Sequence, residues 1–593
     1  MPESNTLYSQ FVVKVNGAAD DSLTGKIDSI TVEQNVSLPD MATIYFKDMG
    51  PIPSSDTQTL ALINADPLPM GSDIEITMGY QESPGPVFKG QVTSQELDID
   101  AKLAPRMIVR ALDRAHHLQR GRQSRTFLNK TDGDIATSIA SECGLTPKVD
   151  STREVFKYVL QNNQTNWEFL QDRAKRIGYE LFVEDRTMNF RKSKAGTSAT
   201  HTLELYQDII RLHVRMTSVA QDAKVQVLSW DPQQKQAIVG QSTHGTPTVS
   251  IGQSVYSGSL AKDFSASTMV VANRPTTNGS VADALAKAVK DDILANAVQV
   301  TGEVHGNPDL QPGRMVKLDK LGSRLNGDYY VTSATHRYSN KQIYTTAFTV
   351  SGRRSDTLGE LVSSASSSNG HGGADAPAIG IVTDNKDPDG MARVKVKFPW
   401  LGDNVESDWA RLVAPGNGPT RGVYFIPEVD DEVLVAFEHG DVHRPFILGG
   451  LWNGKDKPPK ANSEIVTQTV NQRIIQSRTG HQIIFDDTDQ KQMVIIKSQA
   501  GHTVTLDDSG GGKISIVDKS TKNSITIDTG ANKISIHAMQ DIELTSDTGN
   551  IKISAAAGNV NISGLQSSVS GQTHLTLDGG PMTEVKGGML KLN

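Results

Sequence analysis

The sequence predicts a mainly β chain of several domains, and three observations carry that prediction. The last fifth, from about Gln476 to Asn593, is a run of short alternating segments. Apolar and polar residues also alternate through most of residues 7 to 110, between clusters of Pro, Gly and Asp. Finally, 51 glycines stand against 5% aromatic residues, a turn-rich balance. Period-two alternation marks a strand with one buried face.

At 593 residues several separate cores are expected. A net charge of −8 advertises neither nucleic acid nor an anionic membrane as partner. The single cysteine, Cys143, excludes an intramolecular disulfide. It follows Ile135 and Ile139 at helical spacing, as a small buried side chain does, rather than a nucleophile. No apolar run approaches the ~18 residues of a membrane span, and Met1-Pro2-Glu3-Ser4 is not a secretory opening, so export by another route is expected.

Residues 1–353 read as two related barrel-like domains with small helical inserts. The first strands are Phe11–Val15, Ile27–Val32, Thr43–Phe46, Ile74–Met78 and Met107–Val109, with Gly50-Pro51-Ile52-Pro53 as a turn. A helix then carries Ile135, Ile139 and Cys143 between a cap at Thr131 or Asp132 and a stop at Gly144. Thr165-Asn166-Trp167-Glu168 is a capping box, and Trp167, Leu170, Ala174 and Ile177 share one helical face before Gly178. Strands run from Tyr179 to about Ala272, and a longer helix from Val281 carries Leu285, Val289 and Ile293. Strands return at Met315–Leu318, Tyr329–Val331 and Ile343–Val350. Residues 354–377, rich in Ser and Gly, form a linker.

Five short strands between 378 and 455 predict a small closed barrel of the oligonucleotide/oligosaccharide-binding (OB) type: Ile379–Val382, Ala392–Phe398, Trp409–Val413, Val433–Phe437 and Phe446–Gly449. Arg393, Lys395 and Lys397 alternate with Val394, Val396 and Phe398. A strand with one wet face and a phosphate-tracking strand both give this pattern. Abundant acidic residues elsewhere favour the wet face, and no nucleic acid partner is expected.

Residues 456–475 form a neck tether, followed by the repeat region 476–593. Its segments include Val504–Leu506, Ile514–Ile516, Ile525–Ile527, Ile534–Ile536, Ile542–Leu544, Ile551–Ile553 and Val560–Ile562, separated by glycine corners. Such units bury their apolar faces only by stacking. Three chains closing a triangular prism would achieve this, and an antiparallel meander fits the periodicity equally. Residues 477–487 and 498–508 form a closer repeat, bringing His481 and His502 beside paired aspartates. A metal could use these groups, but a histidine capping a strand and aspartates closing its turn account for the same residues.

Glu438, His439 and His443 have the residue types of a metallohydrolase, yet flank a Gly440-Asp441 turn rather than a helix. His116-His117 lies among Arg114, Arg120, Arg122 and Arg125 and reads as a solvated or interface patch. No nucleophilic triad or phosphate loop stands out. The expectation is no enzyme, no catalytic residue, no cofactor and no metal.

Phe398-Pro399-Trp400, Ser407-Asp408-Trp409-Ala410-Arg411 and the run from Pro427 through Asp431, Glu432, Gly440, Asp441 and Pro445 to Gly449 resemble the spike-base barrel of the VgrG family. These are spike proteins of type VI secretion, similar to hub and spike proteins of contractile phage tails and phage-derived particles. The resemblance implies a homotrimer whose N-terminal halves meet a hexameric inner-tube protein and whose tail is a triple-stranded intertwined β-helix needle. Ile516, Ile527, Ile536 and Ile553 would line its axis, while the barrel motif residues are structural. Implied partners are baseplate proteins, a small tip protein and, transiently on sheath contraction, the target envelope. Assembly would be in the bacterial cytoplasm. The stretch Leu7–Val13 lacks the type VI opening, which points toward an extracellular contractile particle. The alternative reading is a trimeric tail fibre or adhesin that binds glycan or nucleic acid through its barrel.

Overall fold

Alternation along the first strands is matched by burial. In the strand Asp73–Tyr80, Ile74, Ile76 and Met78 are at most 2% exposed, while Glu75 and Thr77 face outward. The computed structural model describes residues 9–47, 61–80, 84–99, 105–217, 222–252, 267–340, 342–352, 376–399, 401–402 and 405–591. The expected Gly50–Pro53 turn, most of the 354–377 linker and Trp400 lie outside the described residues. The chain divides into two units, Met1–Asn453 and Gly454–Asn593.

In the first unit the five strands expected of the first barrel and Gln342–Val350 of the second share one eleven-stranded sheet, whereas Met315–Asp319 and Gly327–Tyr330 belong to a separate four-stranded sheet. The join is antiparallel, between Ile27–Asn35 and Ser333–Ser339, with Val32 opposite His336. Two cores remain distinct: Ile30, Ile44, Phe46 and Ile76 pack in one, and Val298, Leu318, Tyr329 and Phe348 in the other. The alternation reading missed the longest strand, Gly85–Ile99. Gly90 interrupts it because a Cβ there would lie 2.2 Å from the Leu112 carbonyl oxygen. The strand slips register between Val92 and Ser94, which breaks the period.

Between the two sets of strands sits a small α/β insert. Its helices Asp132–Glu142 and Asn166–Ile177 begin in capping boxes at Thr131 and Thr165, and Gly178 ends the second at φ 70°. Ile135, Ile139, Leu170 and Phe190 fill its core. Cys143 caps the first helix, packs against this core and accepts a hydrogen bond from Asn166 Nδ2 at 3.5 Å. Burial pushes its thiol pKa up, away from nucleophilic use. The helix Gly279–Ala295 is capped by Asn278 and packs Leu285 against Val225 and Val227. No helix among the described residues is long and apolar enough to cross a membrane.

The second unit contains seven strands, each antiparallel to the next: Gln472–Gln476, Gln482–Asp486, Met493–Lys497, Thr503–Asp507, Lys513–Val517, Ser524–Asp528 and Lys533–His537. The pairing within the chain is therefore that of the meander, and it starts inside the expected neck. Register puts Val504 opposite Ile516, Ile516 opposite Ile525, and Ile525 opposite Ile536. Ile514, Ile527 and Ile534 join them on one apolar face, which is largely exposed: Ile516 is 49% and Ile536 57% accessible. The polar face carries Thr503, Thr505, Ser515, Thr526 and Ser535.

The repeated histidines serve the corners. His481 Nδ1 accepts from the Gln499 N–H and His502 Nδ1 from the Lys519 N–H, each at 3.3 Å, and Asn523 does the same for Met539 at 2.9 Å. Asp486, Asp507 and Asp528 accept from the N–H of Thr488, Ser509 and Ala531, closing the alternate turns. No strand forms among the described residues after His537, so the segments around Ile542, Ile551 with Ile553, and Val560 depart from expectation. The connection to the expected segment at Ile542, Ala538-Met539-Gln540-Asp541, offers no glycine or asparagine to adopt the left-handed conformation of a tight hairpin, and its aspartate stands at its last position.

Candidate functional site: the junction of insert and barrel

The OB barrel closes as its motif predicts. Ala378–Asp384 lies between Lys395–Lys397 and Glu432–Phe437, and Pro445–Gly450 continues the sheet to Arg411–Leu412. Reciprocal bonds between Val394 and Ala410, at 3.0 and 2.7 Å, join the two ends. Val382, Val396, Val433, Val435 and Ile447 fill the interior, with Phe437 packed at its edge.

Two of the three basic residues, Arg393 and Lys395, are paired locally. Arg393 grips Asp387 at 2.5 Å and Asp389 at 2.6 Å, and holds the Asp387 carboxyl well below the usual range. Lys395 lies 3.6 Å from Glu406. Both cations lie beside the half-buried ring of Trp409, at 5.9 and 5.3 Å from its centroid. These contacts favour the wet-face reading over phosphate tracking.

The motif residues build turns. Asp431 accepts from the Glu428 N–H at 2.8 Å, the Pro427 carbonyl accepts from Asn385, and Glu432 from Asn453. Pro399 is exposed, Gly449 lies within the last strand, and Pro445 is buried where that strand begins. Gly440 takes φ 72° and His439, solvent-exposed, φ 52°.

The loop Glu438–Pro445 does more than turn. His443 directs Nδ1 to Asp441 Oδ1 at 2.7 Å, while its Nε2 accepts the Leu160 N–H at 2.9 Å, across 283 residues of sequence. This fixes the neutral Nδ1–H tautomer. Tyr158 packs edge-on against the same ring, and Leu160 belongs to the barrel core. Arg444 pairs with Glu438 at 3.0 Å and donates to the carbonyls of Trp230 and Thr276. Burial pushes the Asp441 carboxyl up, but the hydrogen bonds from His443 and the charge of Arg176 outweigh it and hold it well below the ordinary range. The loop thus ties the barrel to the insert and to the edge of the sheet that packs on Gly279–Ala295.

Glu438, His439 and His443 do not converge: one is taken by Arg444, one is exposed, and one has both ring nitrogens engaged. No group of three or more His, Cys, Asp or Glu suited to a metal occurs among the described residues. The His116-His117 pair also departs from the solvated or interface patch expected of it. His116 is buried, and the Nε2 atoms of both rings meet the Gln91 Oε1, at 3.2 and 2.7 Å. Burial first, and then His117, Arg120 and Arg114, bring the His116 pKa down to about 4. Arg114 is buried against Asp73 and Asp185, and Arg125 is spent on Gln161, Glu142 and Asn166.

A family model described as the Alg8 N-terminal domain matches residues 5–340, more than half of the chain. The chain belongs to this family. A second model, the type VI secretion system/phage-baseplate injector OB domain, matches residues 378–452, the barrel described above. The actin cross-linking toxin VgrG1 of Vibrio cholerae is 31% identical over 111 residues, 18% of this chain and 10% of that protein. The type VI secretion system spike protein VgrG3 of V. cholerae is 30% identical over 112 residues, 18% of this chain and 11% of that one. The chain thus covers only about a tenth of the length of these curated relatives. The lidded Francisella PdpA–VgrG complex shares the fold with TM-score 0.51 and 9% identity, covering 86% of this chain and 80% of that one. The VgrG resemblance read from the barrel motif is therefore found independently, in a mainly β protein with a baseplate-type OB domain. Sequence reading assigned the Gly-Asp-Val-His-Arg-Pro run to a turn and missed its partners Tyr158, Leu160 and Arg176. The only signal was two bulky polar residues, His443 and Arg444, placed after a turn that small residues could have made.

Proposed function

We propose that this protein is the structural spike and hub of a contractile injection machine, acting as a homotrimer and without enzymatic activity. The observation that carries the reading is the apolar face of the second unit. One chain forms a wall whose isoleucines, among them Ile516, Ile527 and Ile536, remain substantially exposed. Exposed apolar surface on that scale marks an interaction site. Three copies of the wall enclose these faces in a dry prism, and Ile553 continues the row beyond His537, where strands take partners from neighbouring chains. On this reading the intertwined part of the needle would follow His537 in sequence, after the self-paired strands.

The eleven-stranded sheet and its insert would form the hub that meets a hexameric inner tube and the baseplate. The junction loop would transmit thrust from that hub to the barrel and needle. A small tip protein would cap the distal end, and the particle would assemble in the bacterial cytoplasm and meet the target envelope on sheath contraction. An extracellular particle remains the preferred setting. The fibre or adhesin alternative loses its main support because Arg393 and Lys395 already have carboxylate partners. Imaging purified particles with an antibody against a tag on this chain tests the proposal. Label at the end of the sheathed tail is expected, and label along lateral fibres would overturn it.

A further inference from the structure

We propose that the junction between hub and barrel is a proton-operated latch, closed while the His443 imidazole is neutral and opened when it takes up a second proton. The ring has two fixed partners of opposite demand. Asp441 Oδ1 accepts from Nδ1 in either protonation state, at 2.7 Å. The Leu160 N–H requires a lone pair on Nε2, at 2.9 Å. A second proton on Nε2 places a donor against a donor. The break therefore falls on Leu160, because the carboxylate keeps the cation on its own side.

The groups around the ring direct the break the same way. On its own loop stand Asp441 and the Arg444–Glu438 pair. From the helix Asn166–Ile177, Arg176 lies 3.9 Å from Asp441, and Arg173 acts on that carboxylate from deeper in the insert. From the strand Val155–Gln164, Tyr158 contributes a phenol that burial, with Asp408 and Glu406 beside it, keeps protonated. Among the described residues the Leu160 N–H is bonded to His443 Nε2 and to no carboxylate. Leu160 is 2% exposed, so its N–H is orphaned in a buried position once the lone pair is lost. Arg444 still holds the Trp230 and Thr276 carbonyls, so opening is a local loosening of the Val155–Gln164 strand from the barrel core rather than separation of the two.

Hydrogen exchange on the full chain at pH 8 and pH 5, corrected for intrinsic rates, tests this. Peptides covering Val155–Gln164 are compared with the barrel strand Glu432–Phe437 as internal reference. In the wild type, Leu160 protection is expected to fall at least ~10-fold on acidification while the reference holds. In His443→Gln, whose amide oxygen accepts a hydrogen bond without titrating, protection at Leu160 should be the same at both pH values. Equal protection of Leu160 at both pH values in the wild type would overturn the proposal, as would an acid loss in His443→Gln matching the wild type. Parallel loosening of Leu160 and the reference strand would overturn it too. If the variant does not fold, the wild-type contrast between the two strands decides alone.

Discussion

Replacing Ile536 by aspartate separates a closed prism from an open wall. In the single chain Ile536 pairs with Ile525 on the last strand and keeps 57% of its surface accessible. Fully burying an isoleucine is worth up to ~3 kcal/mol, so roughly 1.5 kcal/mol per copy, and ~5 kcal/mol for a layer of three, remains to be gained on closure. Ile536→Asp removes that gain and sets three carboxylates in one dry layer, where unpaired charge is not tolerated. In an open wall the same change at an exposed site should cost no more than ~0.5 kcal/mol. Sedimentation at micromolar concentration is the assay, with Ser535→Asp on the polar face as control. Trimers are expected for Ser535→Asp and dissociated chains for Ile536→Asp. Trimers of undiminished heat resistance in Ile536→Asp would refute the reasoning.

Three further outcomes follow from the first unit. His439→Ala should leave assembly and piercing intact, because the side chain is exposed and outside the junction contacts; loss of activity in correctly assembled particles would reopen the enzymatic reading. Burial, and then the charge of Asp40, raise the Asp113 pKa well above the ordinary carboxyl range, and burial brings Asp40 to about 7. Both protons are held by the fold and not by the unfolded chain, so this contribution is complete below about pH 4 and declines as pH rises, the Asp40 share being lost through about 7. Asp113→Asn, which keeps an oxygen for the Ala115 N–H, should flatten that decline in urea unfolding between pH 4.5 and 7.5; an unchanged slope would contradict the assignment. Thr165→Ala should cost about 1 kcal/mol through the lost cap of Asn166–Ile177, seen as roughly fivefold faster exchange in the first helical turn and restored by serine.

Local chemistry made much of the fold legible. Thr131 and Thr165 announce their helices because capping is a contact over three residues, and Val433 and Val435 announce the barrel because alternation is local as well. The strand Gly85–Ile99 escaped because Gly90 answers to Leu112 across the sheet, a demand invisible in its own neighbourhood. The 21-residue repeat disclosed His481 and His502 but hid Asn523, which fills the same corner role with a different side chain. His443 was the hardest to place. Its Asp441 partner is two residues away, whereas its Leu160 partner lies 283 residues away in the sequence and offers only a backbone N–H. The end of self-pairing at His537 was legible only in retrospect, from the missing turn residues that follow it.

The mass of this 593-residue chain in solution bears most directly on the central claim. At micromolar concentration the account predicts a single species of three times the 64.0 kDa chain mass. A stable species at the mass of one chain, with the apolar wall still folded, would contradict it.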